Sequence, residues 1–133
     1  MSAENVDLVR KAIEAWNQRE PDLWRRFGSP EIEWMPAGPA ALERAVYRGY
    51  DEVASGVAAT FETWGVFKLH ESELRDHGDS VLWLGRVEMR GRTSGLELDQ
   101  EYAVHSVVRD GKITKIHTFL SWREGLDAAG LTN

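Results

Sequence analysis

Between Leu98 and Trp122 the chain reads LDQEYAVHSVVRDGKITKIHTFLSW, two runs of β-branched and aromatic residues on either side of Asp110-Gly111. Asp-Gly between such runs is the strongest short-range hairpin signal, because a type I′ turn needs positive φ at both central residues. A two-residue loop sets Arg109 against Lys112. Simple counting outward then pairs Val108 with Ile113, Val104 with His117, Tyr102 with Phe119 and Gln100 with Ser121. Side chains alternate across a sheet, so Gln100, Tyr102, Val104, His117, Phe119 and Ser121 are expected on one face. Glu101, His105, Val107, Ile116, Leu120 and Trp122 are expected on the other. Large apolar groups on both sides predict that both faces are covered, one by the chain's own helices.

The remaining sequence must supply those helices. Residues 4–19 carry Val6, Val9, Ile13 and Trp16 at spacings of three and four, with charged residues between them, and read as an amphipathic helix. Glu20-Pro21 breaks it. Pro21 suits the first position of a short second helix that buries Leu23, Trp24 and Phe27. Gly28-Ser29-Pro30 reads as a turn and Glu31–Met35 as a strand with Ile32 and Trp34 on one side. Ala37–Gly49 is irregular and is expected to be a loop, either a lid over a cavity or a plain connection. Asp51–Trp64 is a third helix, with Val53, Val57, Phe61 and Trp64 on its stripe. Phe67–Asp76, Ser80–Arg90 and the hairpin then form a four-stranded antiparallel meander. A helix from Trp122 to Ala129 follows, closed by Gly130. Helices followed by consecutive hairpins predict an α+β domain, 1–133, with the sheet curled around the helices and a cone-shaped pocket between the layers.

With 133 residues, a net charge of -6 and no cysteine, the chain reads as one ordinary domain without disulfide or thiolate chemistry. Its acidic balance argues against nucleic acid, and no apolar run approaches membrane-spanning length, so a cytoplasmic protein is expected. Six tryptophans in six separate expected elements predict a large aromatic core or an apolar cavity.

Several stretches carry a resemblance. The helix-helix-strand opening, Tyr47-Arg48-Gly49, Arg109-Asp110-Gly111-Lys112-Ile113 and the ending Phe119-Leu120-Ser121-Trp122-Arg123-Glu124-Gly125-Leu126-Asp127-Ala128-Ala129-Gly130-Leu131 resemble the SnoaL-like branch of the nuclear transport factor 2-like superfamily. The resemblance implies a curved sheet around helices, a deep apolar pocket and frequent dimerisation through the outer sheet face. It also implies functions ranging from polyketide cyclase and ketosteroid isomerase to plain binding domains. SnoaL-like cyclases are similar in having an aspartate base before the terminal helix, where this chain has Ser121. Ketosteroid isomerases have an aspartate at the end of the first strand, where it has Met35, and a tyrosine on the first helix, roughly at Ala12.

The residues themselves offer other chemistry. His117, expected among Val104, Tyr102 and Phe119, would be held neutral by burial and serve as a base near pH 7. Tyr102 would donate its phenol to a ligand carbonyl. Trp34, Trp83, Met89, Val104, Phe119 and Ser121 are the expected ligand-binding wall. Each also has a plainer role: a hydrogen-bonded wall histidine, a cross-strand aromatic pair, simple core. Ser121-x-x-Glu124 is a capping box. Asp99 and Glu101 lie on the outer face by simple alternation, and a bulge would turn them inward. His105 and His117 are expected on opposite faces, and no metal or other cofactor is implied.

Two readings follow. One is a cofactor-independent cyclase- or isomerase-type enzyme acting on a small apolar carbonyl compound, with His117 as base and Tyr102 as donor. The other is a non-catalytic small-ligand-binding or dimerisation domain. Ile116, Leu120, Trp122 and Val107 predict an apolar outer patch and a homodimer.

Overall fold

Apolar residues three and four apart at the start of the chain form α1, Ser2–Asn17, in the computed structural model, which describes residues 2–131. Val9, Ala12, Ala15 and Trp16 are its buried side. The next helix, α2, is Leu23–Phe27, later than Pro21, because Asp22 takes a left-handed φ of 59° and cannot continue a helix backwards. It buries Leu23 and Phe27 as expected.

Gly28-Ser29-Pro30 is not a turn. Strand β1 runs Gly28–Met35, and Gly28 pairs with Ile113. A Cβ at Gly28 would sit 2.6 Å from Ile32 Cδ1 and 2.8 Å from the Trp24 carbonyl, so only glycine lets the chain pass straight from α2 into the sheet. The expected loop also holds structure: α3, Pro39–Glu43, and β2, Tyr47–Arg48, which pairs antiparallel with β1. Pro39 opens α3 from the first helical position, where its missing N–H costs nothing.

Helix α4, Gly49–Thr63, buries Val53, Gly56, Val57 and Thr60. Trp64 is the first residue of β3, Trp64–His77, not the last of the helix. Strands β4 (Ser80–Gly91), β5 (Glu97–Arg109) and β6 (Lys112–Phe119) complete the expected meander. The sheet order is β2-β1-β6-β5-β4-β3, with β1 parallel to β6 and every other neighbour antiparallel. The resulting curved, unclosed sheet wraps the N-terminal helices.

The hairpin forms as read, with φ of 53° at Asp110 and 75° at Gly111, and Val108 opposite Ile113. One residue later the counting fails. Thr114 is extruded as a β-bulge, its hydroxyl donating to the Val107 carbonyl at 3.2 Å, and Val107 faces Lys115. Beyond the bulge His105 pairs with His117, Val104 with Thr118 and Ala103 with Phe119. Every β6 side chain past Thr114 is therefore on the face opposite to the one expected. Ile116 and Thr118 turn into the core, while His117 and Phe119 turn out.

Helix α5, Trp122–Ala128, lies on the outer face, where Leu82, Leu84 and Ala103 form a second small core with Phe119, Trp122 and Leu126. Ser121 Oγ accepts from the Glu124 amide at 3.2 Å, as the capping box requires. The Trp122 indole donates to the Gly85 carbonyl at 2.8 Å, and its amide to Glu101 Oε1 at 2.8 Å. Ile116 and Trp122 are thus occupied within the chain, and of the expected outer patch Leu120, 42% exposed, and half-covered Val107 remain. The β4–β5 ladder runs without a shift, so the acidic residues stay outward, Asp99 on Arg86 and Glu97 on Arg90. Among the described residues, no helix is long and apolar enough to cross a membrane.

Candidate functional site

Inward-facing residues of β1, β4, β5 and β6 meet α1 and α4 around two small adjoining cavities. The one toward the open end, about 80 Å3, is lined by Trp16, Trp34, Tyr47, Trp64, Phe67, Met89 and Tyr102, with Glu43 of α3 at its rim. The deeper one, about 30 Å3, is lined by Ala12, Trp16, Trp24, Trp34, Leu69, Tyr102, Val104, Ile116 and Thr118. Trp16, Trp34 and Tyr102 wall both. Aromatic contacts fill most of the cone: Trp16 packs on Phe67 at 5.1 Å and Phe61 at 4.6 Å, and Trp34 on Tyr47 at 5.1 Å. Helix α4 approaches this cluster closely at Gly56, where a Cβ would come within 2.7 Å of the Trp34 ring.

Among the described residues, the hydrogen-bond donors left free in the interior are a phenol and two indoles, and the threonine hydroxyls Thr60 and Thr118 already donate to backbone carbonyls. Burial pushes the Tyr102 phenol up to about 12, so it is a proton donor at any ordinary pH and no base. Its neighbour is the Thr118 hydroxyl, which donates to the Met35 carbonyl at 3.2 Å. The indole N–H groups of Trp16 and Trp24 are buried and have no protein acceptor. Glu43 is the one carboxylate on either lining among the described residues.

The expected site is therefore divided. Tyr102, Trp34, Met89 and Val104 do line the cavities. Trp83 is wholly buried in the core behind them, Phe119 belongs to the outer layer under α5, and Ser121 is the α5 cap. His117 is across the sheet from Tyr102, its ring stacked on Phe119 at 4.2 Å, and cannot reach a molecule in the cone. The physical reason is the Thr114 bulge. Sequence reasoning missed Thr118 for the same reason, and missed Tyr47 because the Ala37–Gly49 segment shows no period. Trp16 was legible as a buried helix residue but not as a cavity wall.

On the outer face His105 and His117 stand directly opposite each other, contrary to the expected register. Burial first, then the neighbouring His117, His77 and Lys115, lower the His105 pKa; burial and Lys115 lower that of His117. His105 Nε2 is buried without a protein partner. A histidine with a depressed folded-state pKa binds fewer protons folded than unfolded. Stability is then unaffected above the unfolded value near 6.5 and falls as the pH drops from there through the folded values. We expect a His105→Gln/His117→Gln variant to lose less of its urea midpoint than the parent between about pH 7.5 and 5.5. Equal losses would remove the pair from the acid response. Among the described residues no group of three or more metal-ligating side chains exists.

Comparison with known families decides the kinship. The SnoaL-like domain family matches residues 9–116. The chain belongs to that family. Solved structures agree on the fold. An NTF2-like protein of unknown function from Burkholderia pseudomallei is 17% identical, with a TM-score of 0.80 over 96% of this chain and 97% of that one. A SnoaL-like protein from Jannaschia, named as a putative polyketide cyclase, is 15% identical at TM-score 0.77, covering 100% and 96%. A protein with a ketosteroid isomerase-like fold from Catenulispora acidiphila, in complex with trimethylamine, is 15% identical at 0.75, covering 94% and 93%. At such identities the likeness concerns the fold. Comparison with curated protein sequences found no match.

Proposed function

We propose that this SnoaL-like domain binds a largely apolar carbonyl compound in the cone and holds it by hydrogen bonds instead of converting it. The observation that carries this reading is the one-sided polarity of the interior. Tyr102 and the indole N–H groups of Trp16 and Trp24 can orient an acceptor, while His117, the base the sequence offered, faces the other way. A relative of the same fold has been crystallised with polyporic acid, which is consistent with a small ring compound as occupant.

The test compares 2-acetylnaphthalene with 2-ethylnaphthalene, which lacks the acceptor. One oriented hydrogen bond is worth about 0.5–1.5 kcal/mol, so the ketone should bind up to about tenfold more tightly. Tyr102→Phe should erase most of that difference, and His117→Phe should leave it intact. Equal affinity of the parent for both compounds would sink the reading.

A second reading rests on Glu43. A carboxylate at the rim of a cavity whose far wall holds a phenol donor is the pair needed for proton transfer next to a carbonyl, as in a cyclase or isomerase. It requires deuterium exchange from solvent into the methyl group of bound 2-acetylnaphthalene, lost in Glu43→Gln. Exchange at the buffer rate leaves binding alone.

We further propose that a second copy covers the outer face around Leu120, Val107 and the His105–His117 pair. Sedimentation at micromolar concentration should give a dimer; a monomer throughout rejects this.

A further inference from the structure

A third depression lies outside the cone, between the α1–α2 turn and α4. It measures about 300 Å3 and is lined chiefly by Arg19, Trp24, Tyr50, Ala54, Ala58 and Phe61. Trp24 is the one side chain that lines both this groove and the deeper cavity of the cone, so its indole borders both spaces. That indole is only partly buried as a whole, yet its N–H is buried and has no protein acceptor. No protein hydrogen bond from that N–H therefore pins its rotamer. Its frame, by contrast, is firmly held. The Arg19 guanidinium donates to the Phe61 carbonyl at 3.1 Å and the Trp64 carbonyl at 2.6 Å, and lies over the Phe61 ring at 4.6 Å. Arg25 lies over Tyr50 at 5.0 Å and donates to Asp51 at 2.8 Å. The turn between them keeps Arg19 and Asp22 at φ of 53° and 59°, a conformation that non-glycine residues hold only when their surroundings impose it.

We propose that the groove is the outer chamber of the ligand site and that Trp24 is the movable wall joining it to the cone. Such a chamber rests on the binding reading above and adds the size and route of the ligand. The two inner cavities are too small for a ring compound, whereas ligand sites commonly measure about 300–1,000 Å3. Joined through Trp24, the three spaces reach that range. The occupant is an elongated, largely apolar molecule with a hydrogen-bond acceptor to meet the displaced indole. Both bordering guanidiniums are already engaged, so a neutral molecule fits better than an anion.

The probe is N-phenyl-1-naphthylamine, a neutral aromatic whose emission rises in apolar surroundings, mixed with the full chain in a stopped-flow instrument. Trp24→Ala removes the wall, and association should quicken at least about tenfold, a barrier change of about 1.4 kcal/mol. Ala58→Trp adds a ring at an exposed groove position and should slow association by a similar factor. Thr63→Trp, at the open end of the cone, should slow association far less than Ala58→Trp. Should Trp24→Ala fail to fold, Ala58→Trp still decides. If Thr63→Trp blocks binding and Ala58→Trp does not, the groove proposal is overturned while the binding reading survives. If the parent binds 2-acetylnaphthalene but not the probe, the groove proposal falls alone; if it binds neither, both fall.

Discussion

Trp83→Ala is expected to cost about 3–5 kcal/mol of folding stability, read as a lower urea midpoint. Trp83 is 0% exposed on β4, paired with Leu74 of β3 and Val104 of β5, and is the largest of the fully buried side chains. Its indole N–H is buried without a protein acceptor, so no protein hydrogen bond is lost with it. The whole cost is dispersion and burial. Trp83→Phe should therefore cost far less than alanine, because it keeps most of the packing and removes a desolvated donor. If phenylalanine and alanine prove equally damaging, the indole N–H has an essential partner and the packing account is wrong.

Gly85→Ala should come next, with a loss of about 3 kcal/mol from a single added methyl group. A Cβ there would lie 2.1 Å from the His70 carbonyl oxygen and 2.6 Å from the Trp83 ring. The first obstacle is backbone and cannot swing aside. It stands so close because β3 is bulged between Glu71 and Glu73 opposite this point. The same residue's carbonyl accepts the Trp122 N–H, so displacing β4 also loosens α5 from the outer face. Near-ultraviolet circular dichroism should register that second effect as a changed tryptophan signal. Parent-like stability and spectrum would show that β3 yields easily.

These two residues illustrate how unevenly the sequence disclosed its fold. The meander, the helices and the Asp110-Gly111 turn were legible because each depends on local pattern: period two, period 3.6, or positive φ. What failed was non-local. Thr114 is unremarkable among Lys112-Ile113-Thr114-Lys115, and nothing in its type announces a bulge. That one extruded residue still decides which face His117, Thr118 and Phe119 occupy. The interior chemistry was consequently half visible. Tyr102, on the unbulged strand, was placed correctly relative to Trp34 and Met89, while its actual neighbour Thr118 was read as facing away. Gly28 was misread for a related reason: the close approach that demands a glycine there comes from Ile32 and the Trp24 carbonyl, not from a turn. In the Ala37–Gly49 segment, helix α3 and the two residues of β2 are too short to leave a period.

The parallel pairing of β1 with β6 bears on how the protein is made. Met35 and Thr118 are 83 residues apart, yet they share a hydrogen bond in the interior of the sheet. During synthesis the first strand has only the two-residue β2 for a partner until the last strand emerges. Ile32 and Trp34 meet their helical neighbours early but wait for β6 for most of translation, and such long-range closure is slow and exposes the chain to aggregation. Cells should therefore lose more of this protein to premature termination within β6 than its small size suggests, and chaperone demand should peak just before Phe119 leaves the ribosome.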